Sequence, residues 1–330
     1  MQFISNLAIS RLIPKGRLAN VLIKFFVFSF LLIYIGRVIL QKNLFLNDFW
    51  SMLSEVSGYA IPVLVAVVLL IPVNWGLEAL KWQFLVRKIE KISFLKAYRG
   101  ILTGVSFGLA TPHGIGDYAG RILQLSSQDR VKMVGAVFLT RIAQFFVTYF
   151  FGTLALLYFI SYVYVTDAFL IRTLAYVLAL SNTFLIVLFF FHKNILFLLK
   201  EVKLLRPVYK YFEILNQYSG NDILCVIGLS FLRYMVFSCQ FFALLYLFNV
   251  STNVVILLTG VSFIFLVKSI VPTFFDLGVR ESSALYFFGF FNTSEESILF
   301  ASLLLWVINI LFPAFIGLFM IFKIKFFNKW

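Results

Sequence analysis

The chain has 330 residues, of which 62% are hydrophobic and 13% are charged. An average soluble domain is about 45–50% apolar and about 25% charged. Because the mean hydropathy is +0.98 over the whole length, too few polar residues remain to cover a water-exposed surface, which excludes a soluble protein. No polar stretch is long enough for a separate aqueous domain, so we expect one integral membrane domain over residues 1–330.

The net charge of +14 would suit a nucleic-acid-binding protein if the chain were soluble. Here most lysines and arginines lie between apolar runs, where membrane orientation explains their positions. We therefore expect membrane lipids, and no nucleic acid, as partners of this chain.

The chain has two cysteines and two histidines, with no spacing typical of a structural zinc or haem site. Fourteen residues separate Cys225 from Cys239. In a helix that separation is about 21 Å, beyond the reach of a disulfide. We expect both cysteines to be buried fillers, and we expect no metal or other cofactor; a metal site made of carboxylates alone stays open.

Eight apolar runs divide the chain, at residues 21–40, 57–80, 101–116, 133–161, 168–191, 223–248, 254–290 and 297–322. The first run lacks a small-residue cleavage site, so we predict a retained helix and not a signal peptide. A spanning helix needs about 20 apolar residues, which six of the runs provide. The run at 101–116 is too short and that at 254–290 too long. Both contain helix breakers: Pro112, Gly114, Gly116, Pro272 and Gly278.

Basic residues predict the orientation of these spans. They form four clusters, at residues 11–17, 81–99, 193–210 and 323–329. Clusters of this kind face the cytoplasm. The other connecting segments, at residues 41–56, 162–167, 249–253 and 292–296, contain one basic residue, Lys42, and should face outward. Both termini and a connector at residues 193–222 are then cytoplasmic, in what we expect to be a bacterial inner membrane.

This orientation requires each broken run to enter and leave the membrane on the same side. Residues 101–130 would do so from the cytoplasm and residues 254–291 from outside, as re-entrant hairpins. The alternative, eight ordinary spans, puts at least one basic cluster on the wrong side. We therefore predict an all-α polytopic membrane protein with about six full transmembrane helices and two re-entrant broken-helix hairpins.

The two broken runs share a sequence pattern. Gly104-Val105-Ser106-Phe107 recurs as Gly260-Val261-Ser262-Phe263, and a proline, an acid and an arginine follow each copy in that order. The spans around the two copies run in opposite senses, which predicts an inverted repeat of residues 57–161 and 223–322. Interrupted segments at matching places in two halves indicate a transporter's binding site. The alternative is a pair of kinked helices whose prolines are tolerated for packing.

Ionisable residues inside apolar runs mark the candidate site, because charges at membrane depth are costly and seldom lack partners. The predicted ligands of an anionic lipid headgroup, through its phosphate, are Arg121 and Arg280, with Arg141 and Arg233 in support. Asp117 and Asp276 are expected to cap the second half-helix of each hairpin. The alternative is that each aspartate pairs with the arginine one turn later.

Two glutamates complete the predicted site. Glu78 and Glu281 are expected either to neutralise Arg233 or Arg141, or to contact an amino headgroup. No nucleophile elbow, phosphate-binding loop or metalloprotease motif occurs in the sequence, so we expect no enzyme. The alternative is a lipid-modifying transferase that holds magnesium through Asp117 and Asp276.

Several short motifs carry a family resemblance. They are Asn74 to Trp82, Gly104, Thr111-Pro112, Gly114, Gly116, Arg121, Arg141, Gln144, Pro272 and Leu277 to Glu281. With these motifs, residues 20–320 resemble the membrane region of lysylphosphatidylglycerol synthases. Full-length members resemble multiple peptide resistance factors, and the resemblance implies a lipid flippase joined to a cytoplasmic domain that attaches lysine to phosphatidylglycerol.

The chain ends at Trp330, soon after the last predicted span. We therefore expect a stand-alone, flippase-like protein without aminoacyl transfer. The resemblance leaves three classes of cargo open: an aminoacylated lipid, another phospholipid, or a polyprenyl-phosphate sugar. The remaining alternative is a non-transporting membrane partner of a separate glycosyltransferase or synthase.

Overall fold

The computed structural model describes residues 60–109, 111, 114–126, 129–163, 167–251, 253–271 and 278–321, together with Ser29 and Ile33. Every regular element within these ranges is helical. The predicted first span at residues 21–40 lies almost wholly outside the described residues. Three of the predicted hairpin breakers and caps also lie outside the described residues: Pro112, Pro272 and Asp276.

The described helices follow one another in chain order. They are α1 (Ala60–Val86), α2 (Phe94–Leu109), α3 (Gly116–Ile122), α4 (Arg130–Val163), α5 (Ala168–Phe190), α6 (His192–Glu201), α7 (Arg206–Phe212), α8 (Gly220–Leu247), α9 (Val254–Ile270), α10 (Val279–Gly289), α11 (Glu295–Trp306) and α12 (Phe312–Ile321). A 3₁₀ turn at Glu213–Gln217 precedes α8, and a π-helical segment at Val307–Leu311 joins α11 to α12.

Five helical segments of the described chain are long and apolar enough to cross a membrane. They are α1, α4, α5, α8 and the run Glu295–Ile321 that contains α11 and α12. A helix of 27 residues, such as α1, is about 40 Å long, more than the roughly 30 Å of bilayer hydrocarbon. These segments confirm the predicted all-α polytopic membrane fold.

The first broken run folds as a tight pair of helices, α2 and α3. Three glycines spaced one turn apart on α2 face α3 in reverse order: Gly100 lies against Arg121, Gly104 against Asp117 and Gly120, and Gly108 against Gly114. The reversed order makes the two helices antiparallel. A Cβ atom at Gly120 would lie 2.5 Å from the Cα atom of Gly104. The glycines therefore allow the backbones to approach more closely than larger residues would.

The turn between α2 and α3 depends on Gly114 and Gly116. Gly114 has φ +62°, in the left-handed region that glycine adopts without strain. A Cβ atom at Gly116 would overlap the carbonyl of Phe107. The backbone N–H of Gly116 instead donates to the Thr111 hydroxyl at 2.7 Å. Two of the three breakers predicted for this run, Gly114 and Gly116, thus act in the turn itself.

The second broken run also gives two packed helices, α9 and α10. Gly260 of α9 lies against the rings of Phe287 and Phe288 of α10, where a Cβ atom would clash. Gly278, with φ +89°, precedes α10, and its N–H donates to Glu281 Oε2 at 2.7 Å. Re-entry of the two hairpins from opposite sides stays a prediction.

The last span is interrupted by the π-helical segment Val307–Leu311. Pro313 has no N–H, so it cannot donate to the carbonyl one turn earlier, that of Asn309. That carbonyl instead accepts a hydrogen bond from Trp75 Nε1 at 3.1 Å. Asn74 Nδ2 donates to Asn309 Oδ1 at 3.0 Å. The π-helical segment therefore connects the last span to α1 through these two hydrogen bonds.

Two predicted basic clusters lie at the same end of the bundle. Arg87, just after α1, is 3.3 Å from Asp222 in the first turn of α8. The Tyr218 hydroxyl, just before α8, donates to the carbonyl of Leu85 at 2.9 Å. The connector that precedes α8 thus meets the segment that follows α1, as the prediction of one shared side requires.

The expectation that the two cysteines are buried was wrong. Cys225 and Cys239 both lie on α8 and are exposed. The buried positions of α8 are those that face α1 and α4, such as Val226, Ser230 and Phe241. The hydrophobic effect does not drive an apolar side chain inward in a membrane protein, because lipid tails are as apolar as the protein interior.

Candidate functional site

A cavity of about 440 Å³ lies among the broken helices and the long spans. Residues of α1, α2, α3, α4, α8, α9 and the π-helical segment line it. Six charged residues of the described chain contribute to its wall: Glu78, Asp117, Arg121, Arg141, Arg233 and Lys268. Five of these six are predicted site residues, which the fold brings together from four helices.

Arg121 is the central donor of this group and is 4% exposed. Its Nε donates to Asp117 Oδ1 at 2.7 Å, and its Nη1 donates to Glu78 Oε1 at 2.8 Å. The Thr140 hydroxyl lies 3.3 Å from the same Nη1. Arg121 therefore joins two carboxylates, and Asp117 pairs with the arginine one turn later, as the alternative interpretation proposed.

Asp117 does not cap α3. The N-cap residue of this helix is Ile115, which makes no side-chain cap, and the Thr111 hydroxyl holds the Gly116 N–H instead. Both oxygens of Asp117 face arginines, because Oδ2 accepts from Arg141 Nη2 at 3.0 Å. The acid lies within the first turn, where its carboxylate meets side chains of α3 and α4.

Arg141 connects the first hairpin to α4. Besides Asp117, its Nη2 donates to the carbonyl of Gly114 at 2.6 Å. Its guanidinium carbon lies 5.2 Å from the centre of the Tyr118 ring. The side chain is 34% exposed and lines the cavity.

Lys81 belongs to the charged group, although it was predicted as part of a cytoplasmic cluster. It is 0% exposed, and its Nζ lies 2.8 Å from Glu78 Oε2. The same Nζ donates to the Ser230 hydroxyl on α8 at 3.0 Å. Its position three residues after Glu78, on the same helix face, was the signal in the sequence.

Arg233 of α8 approaches the group from the other side of the cavity. Its Nε is 3.6 Å from Glu78 Oε2, and its Nη1 donates to Gln144 Oε1 at 3.3 Å. The guanidinium carbon lies 4.9 Å from the centre of the Trp75 ring, a cation–π distance. The buried Nε finds no hydrogen-bond acceptor among the described residues.

Arg280 and Glu281 form a separate buried pair. Arg280 is 0% exposed, its Nη2 donates to Glu281 Oε1, and its Nε donates to the Ser302 hydroxyl at 2.8 Å. Neither residue is among the described residues that line the cavity. The second broken run reaches the cavity through α9 instead, with Phe265, Lys268 and Ser269.

Sequence reasoning missed Asn309, which lines the cavity and is 0% exposed. A polar residue four positions before a proline in an apolar run was the available signal, since the proline frees the carbonyl of that residue. Its side chain and carbonyl orient Asn74 and Trp75, one turn before Glu78. Interruptions of this π type are frequent at functional sites.

The comparison with known protein families identifies the chain. The model of the lysylphosphatidylglycerol synthase TM region matches residues 21–317. The chain belongs to this family. Family membership confirms the resemblance found in the motifs and makes the chain an integral membrane domain of a group of lipid-related proteins. No curated protein and no solved structure matches the chain.

In this family member, the matched residues include every described residue that lines the cavity. What the site offers chemically is a set of guanidinium donors inside a membrane domain. Groups of this kind bind carboxylates and phosphates through paired, charge-assisted hydrogen bonds. Charged residues at membrane depth are typical of substrate pathways.

Proposed function

We propose that the chain moves a phospholipid between the two leaflets, with the lipid headgroup passing through the cavity and the acyl chains remaining in the bilayer. The observation that carries this proposal is the cavity itself, whose described wall has four basic and two acidic residues within an apolar helical bundle. A polar headgroup needs such a seam, because the hydrocarbon core offers it no hydrogen bonds.

Arg141 and Arg233 are the proposed phosphate ligands. Both residues line the cavity, and their side chains are 34% and 20% exposed. Arg121, whose side chain is 5% exposed, is a positioning residue that holds Glu78 and Asp117 in place. This division of roles follows from the exposure of the three side chains.

The glycine contacts between α2 and α3 support a path beside this hairpin. Gly108 and Gly114 line the cavity where the hairpin turns, and neither presents a side chain that would narrow the opening. The aromatic residues Phe145, Phe237 and Phe265 form an apolar part of the wall. A headgroup in this cavity would meet both guanidinium groups and an apolar surface for the lipid backbone.

The test is the translocation of phosphatidylglycerol in liposomes, with a fluorophore on one acyl chain and a membrane-impermeant quencher outside. We expect the wild-type protein to accelerate the loss of inner-leaflet fluorescence over protein-free liposomes. Arg141→Gln should slow the protein-dependent rate by about ten-fold or more, the effect of losing one charge-assisted hydrogen bond. Arg233→Gln should do the same.

The matched control is Arg172→Gln, because Arg172 is exposed on α5 and lies outside the cavity. It should translocate at the wild-type rate. A folded Arg141→Gln protein with an unchanged rate would remove the phosphate role assigned to Arg141. If the wild-type protein moves no lipid but purifies with a stoichiometric synthase, the interpretation as a non-transporting partner replaces transport. If the protein instead turns over lipid in the presence of magnesium, and Asp117→Asn abolishes this activity, the interpretation as a transferase is favoured.

A further inference from the structure

We infer that the connector between α5 and α8 binds the anionic headgroup layer of the membrane leaflet at its end of the bundle. The partner is the lipid surface, and the contact is made by exposed basic and apolar side chains of residues 191–213. None of these residues is among those of the described chain that line the cavity. The inference therefore goes beyond the proposed function and does not depend on it.

The position of the connector follows from its attachment to two spans. Helix α6 begins two residues after α5 ends, so the connector starts where a span ends. On α4, a Cβ atom at Gly135 would lie 2.6 Å from the carbonyl oxygen of Tyr211. The rings of Phe138 and Phe212 meet edge to face, with their centres 5.0 Å apart. These contacts hold the connector against the first turns of α4.

The connector exposes large apolar side chains, although other residues of it pack into the bundle. Leu196 and Ile214 are 3% and 1% exposed. By contrast, Leu204, Phe197 and Leu198 are 84%, 62% and 60% exposed. Exposed apolar patches mark sites that bind a membrane or another protein. Because the connector follows directly on a span, the bilayer is the apolar phase within its reach.

The connector also exposes a net positive charge. Residues 191–213 contain five basic residues and two acids, Glu201 and Glu213, which leaves a net charge of +3. The basic residues are all exposed: Lys193, Lys200, Lys203, Arg206 and Lys210. None of the five forms an ion pair with an acid of the described chain. Anionic headgroups attract basic residues that are held next to a membrane surface, so the charge favours an anionic leaflet as the partner.

Basic and apolar side chains lie side by side on α6. Lys193, Asn194, Phe197 and Leu198 border one hollow in the surface of this helix. A helix with this mixture lies in the plane of the membrane, because its apolar side chains enter the boundary of the acyl chains. Lysine side chains then extend their ammonium groups to the headgroups. Membrane orientation alone explains the basic residues but not the apolar residues exposed between them.

The test measures whether the side chain at position 204 lies in lipid or in water. Cys225→Ser and Cys239→Ser remove the two native cysteines of the chain, and Leu204→Cys then carries an environment-sensitive fluorophore. The whole protein is placed in lipid nanodiscs, whose two faces are both open to the buffer. One set contains phosphatidylcholine alone, and the other contains equal parts of phosphatidylcholine and phosphatidylglycerol. Quenching is measured with iodide in the buffer and with bromine atoms on the acyl chains.

In the nanodiscs with phosphatidylglycerol, we expect brominated lipid to quench the fluorophore and iodide to have little access. Lys200→Gln combined with Lys203→Gln should shift the equilibrium of the segment toward water by about five-fold for each charge removed. The matched control, Lys200→Arg with Lys203→Arg, keeps both charges and should retain the protection from iodide. High salt screens surface charges and should act as the glutamine pair does.

Three results would overturn the inference. Full access of iodide in both lipid compositions would show that the connector lies in water. Equal protection in the two compositions, unchanged by the glutamine pair, would show that anionic lipid is not the partner. Protection from both quenchers would show that a second copy of the chain covers position 204. Each of these results leaves lipid translocation intact, and a failure of translocation leaves this measurement intact.

Discussion

Lys81 shows that the position of a charged residue in the sequence does not reveal its role. It follows an apolar run and resembles the start of a cytoplasmic cluster, yet it is fully buried against Glu78 and Ser230. Lys91, ten residues later, is exposed and fits the cluster. The difference arises because α1 continues to Val86 and keeps Lys81 on its inward face.

Lys81→Met should lower the free energy of unfolding by about 3 kcal/mol, because it removes one partner of a buried carboxylate. Equilibrium unfolding in mixed detergent micelles measures this change. Lys91→Met is the matched control and should have little effect, since Lys91 is exposed. The double variant Lys81→Met with Glu78→Gln should lose less than the sum of the two single variants. A strictly additive loss would mean that Lys81 and Glu78 do not stabilise each other.

At the scale of the element, the α2–α3 hairpin is the part that brings the charged residues together. Its glycines let the two backbones touch, so that Asp117 and Arg121 of α3 reach the acids and bases of α1 and α4. The π-helical interruption near Asn309 has a comparable role for α1, since it holds Trp75 beside Arg233. The glycine contacts and the π-helical segment both position charged residues through local backbone geometry and not through charge.

Gly120→Ala should destabilise the hairpin by about 1–3 kcal/mol, because overpacking forces the backbones apart. The added Cβ would lie 2.5 Å from the Cα atom of Gly104. Gly228→Ala in α8 is the matched control, because nothing lies within 4 Å of a Cβ atom there. In a helix interior that change should be neutral or favourable. Equal unfolding midpoints for the two variants, measured in detergent, would show that α2 and α3 do not touch as described.

The spacing of residues predicted part of this site. Asp117 and Arg121 are four residues apart and pair on one helix face, and the breakers Gly114 and Gly116 act in the turn as expected. Arg280 was placed in the same site because the second broken run repeats the order of proline, acid and arginine. A repeated order does not repeat the partners: Arg280 pairs with its neighbour Glu281 and with Ser302 of α11.

At the scale of the whole molecule, the membrane-spanning helices could be predicted from composition and from the length of the apolar runs, because the bilayer requires long apolar segments. The contacts between distant segments could not be predicted in this way. Asn74 and Asn309 are 235 residues apart in the chain, and Lys81 and Ser230 are 149 apart. Such pairs depend on which helix faces meet, which the periodicity of a uniformly apolar helix does not mark.

The arrangement of the described helices separates a charged interior from a lipid-facing periphery. Residues of α1, α3, α4 and α8 supply most of the paired charges around the cavity. Helix α5 is exposed along most of its length, with Tyr176 and Leu180 each 70% exposed. A lipid that crosses by way of this protein should therefore contact different residues with its headgroup and with its acyl chains.

Photo-crosslinking tests this separation most directly. Phosphatidylglycerol with a photoreactive group on its headgroup is incorporated into proteoliposomes, which are then irradiated. The labelled residues are mapped by mass spectrometry. Headgroup binding in the cavity predicts labels on lining residues such as Trp75, Gln144 and Phe237, reduced by excess unlabelled phosphatidylglycerol. Labels confined to exposed residues of α5, such as Tyr176 and Leu180, would contradict it.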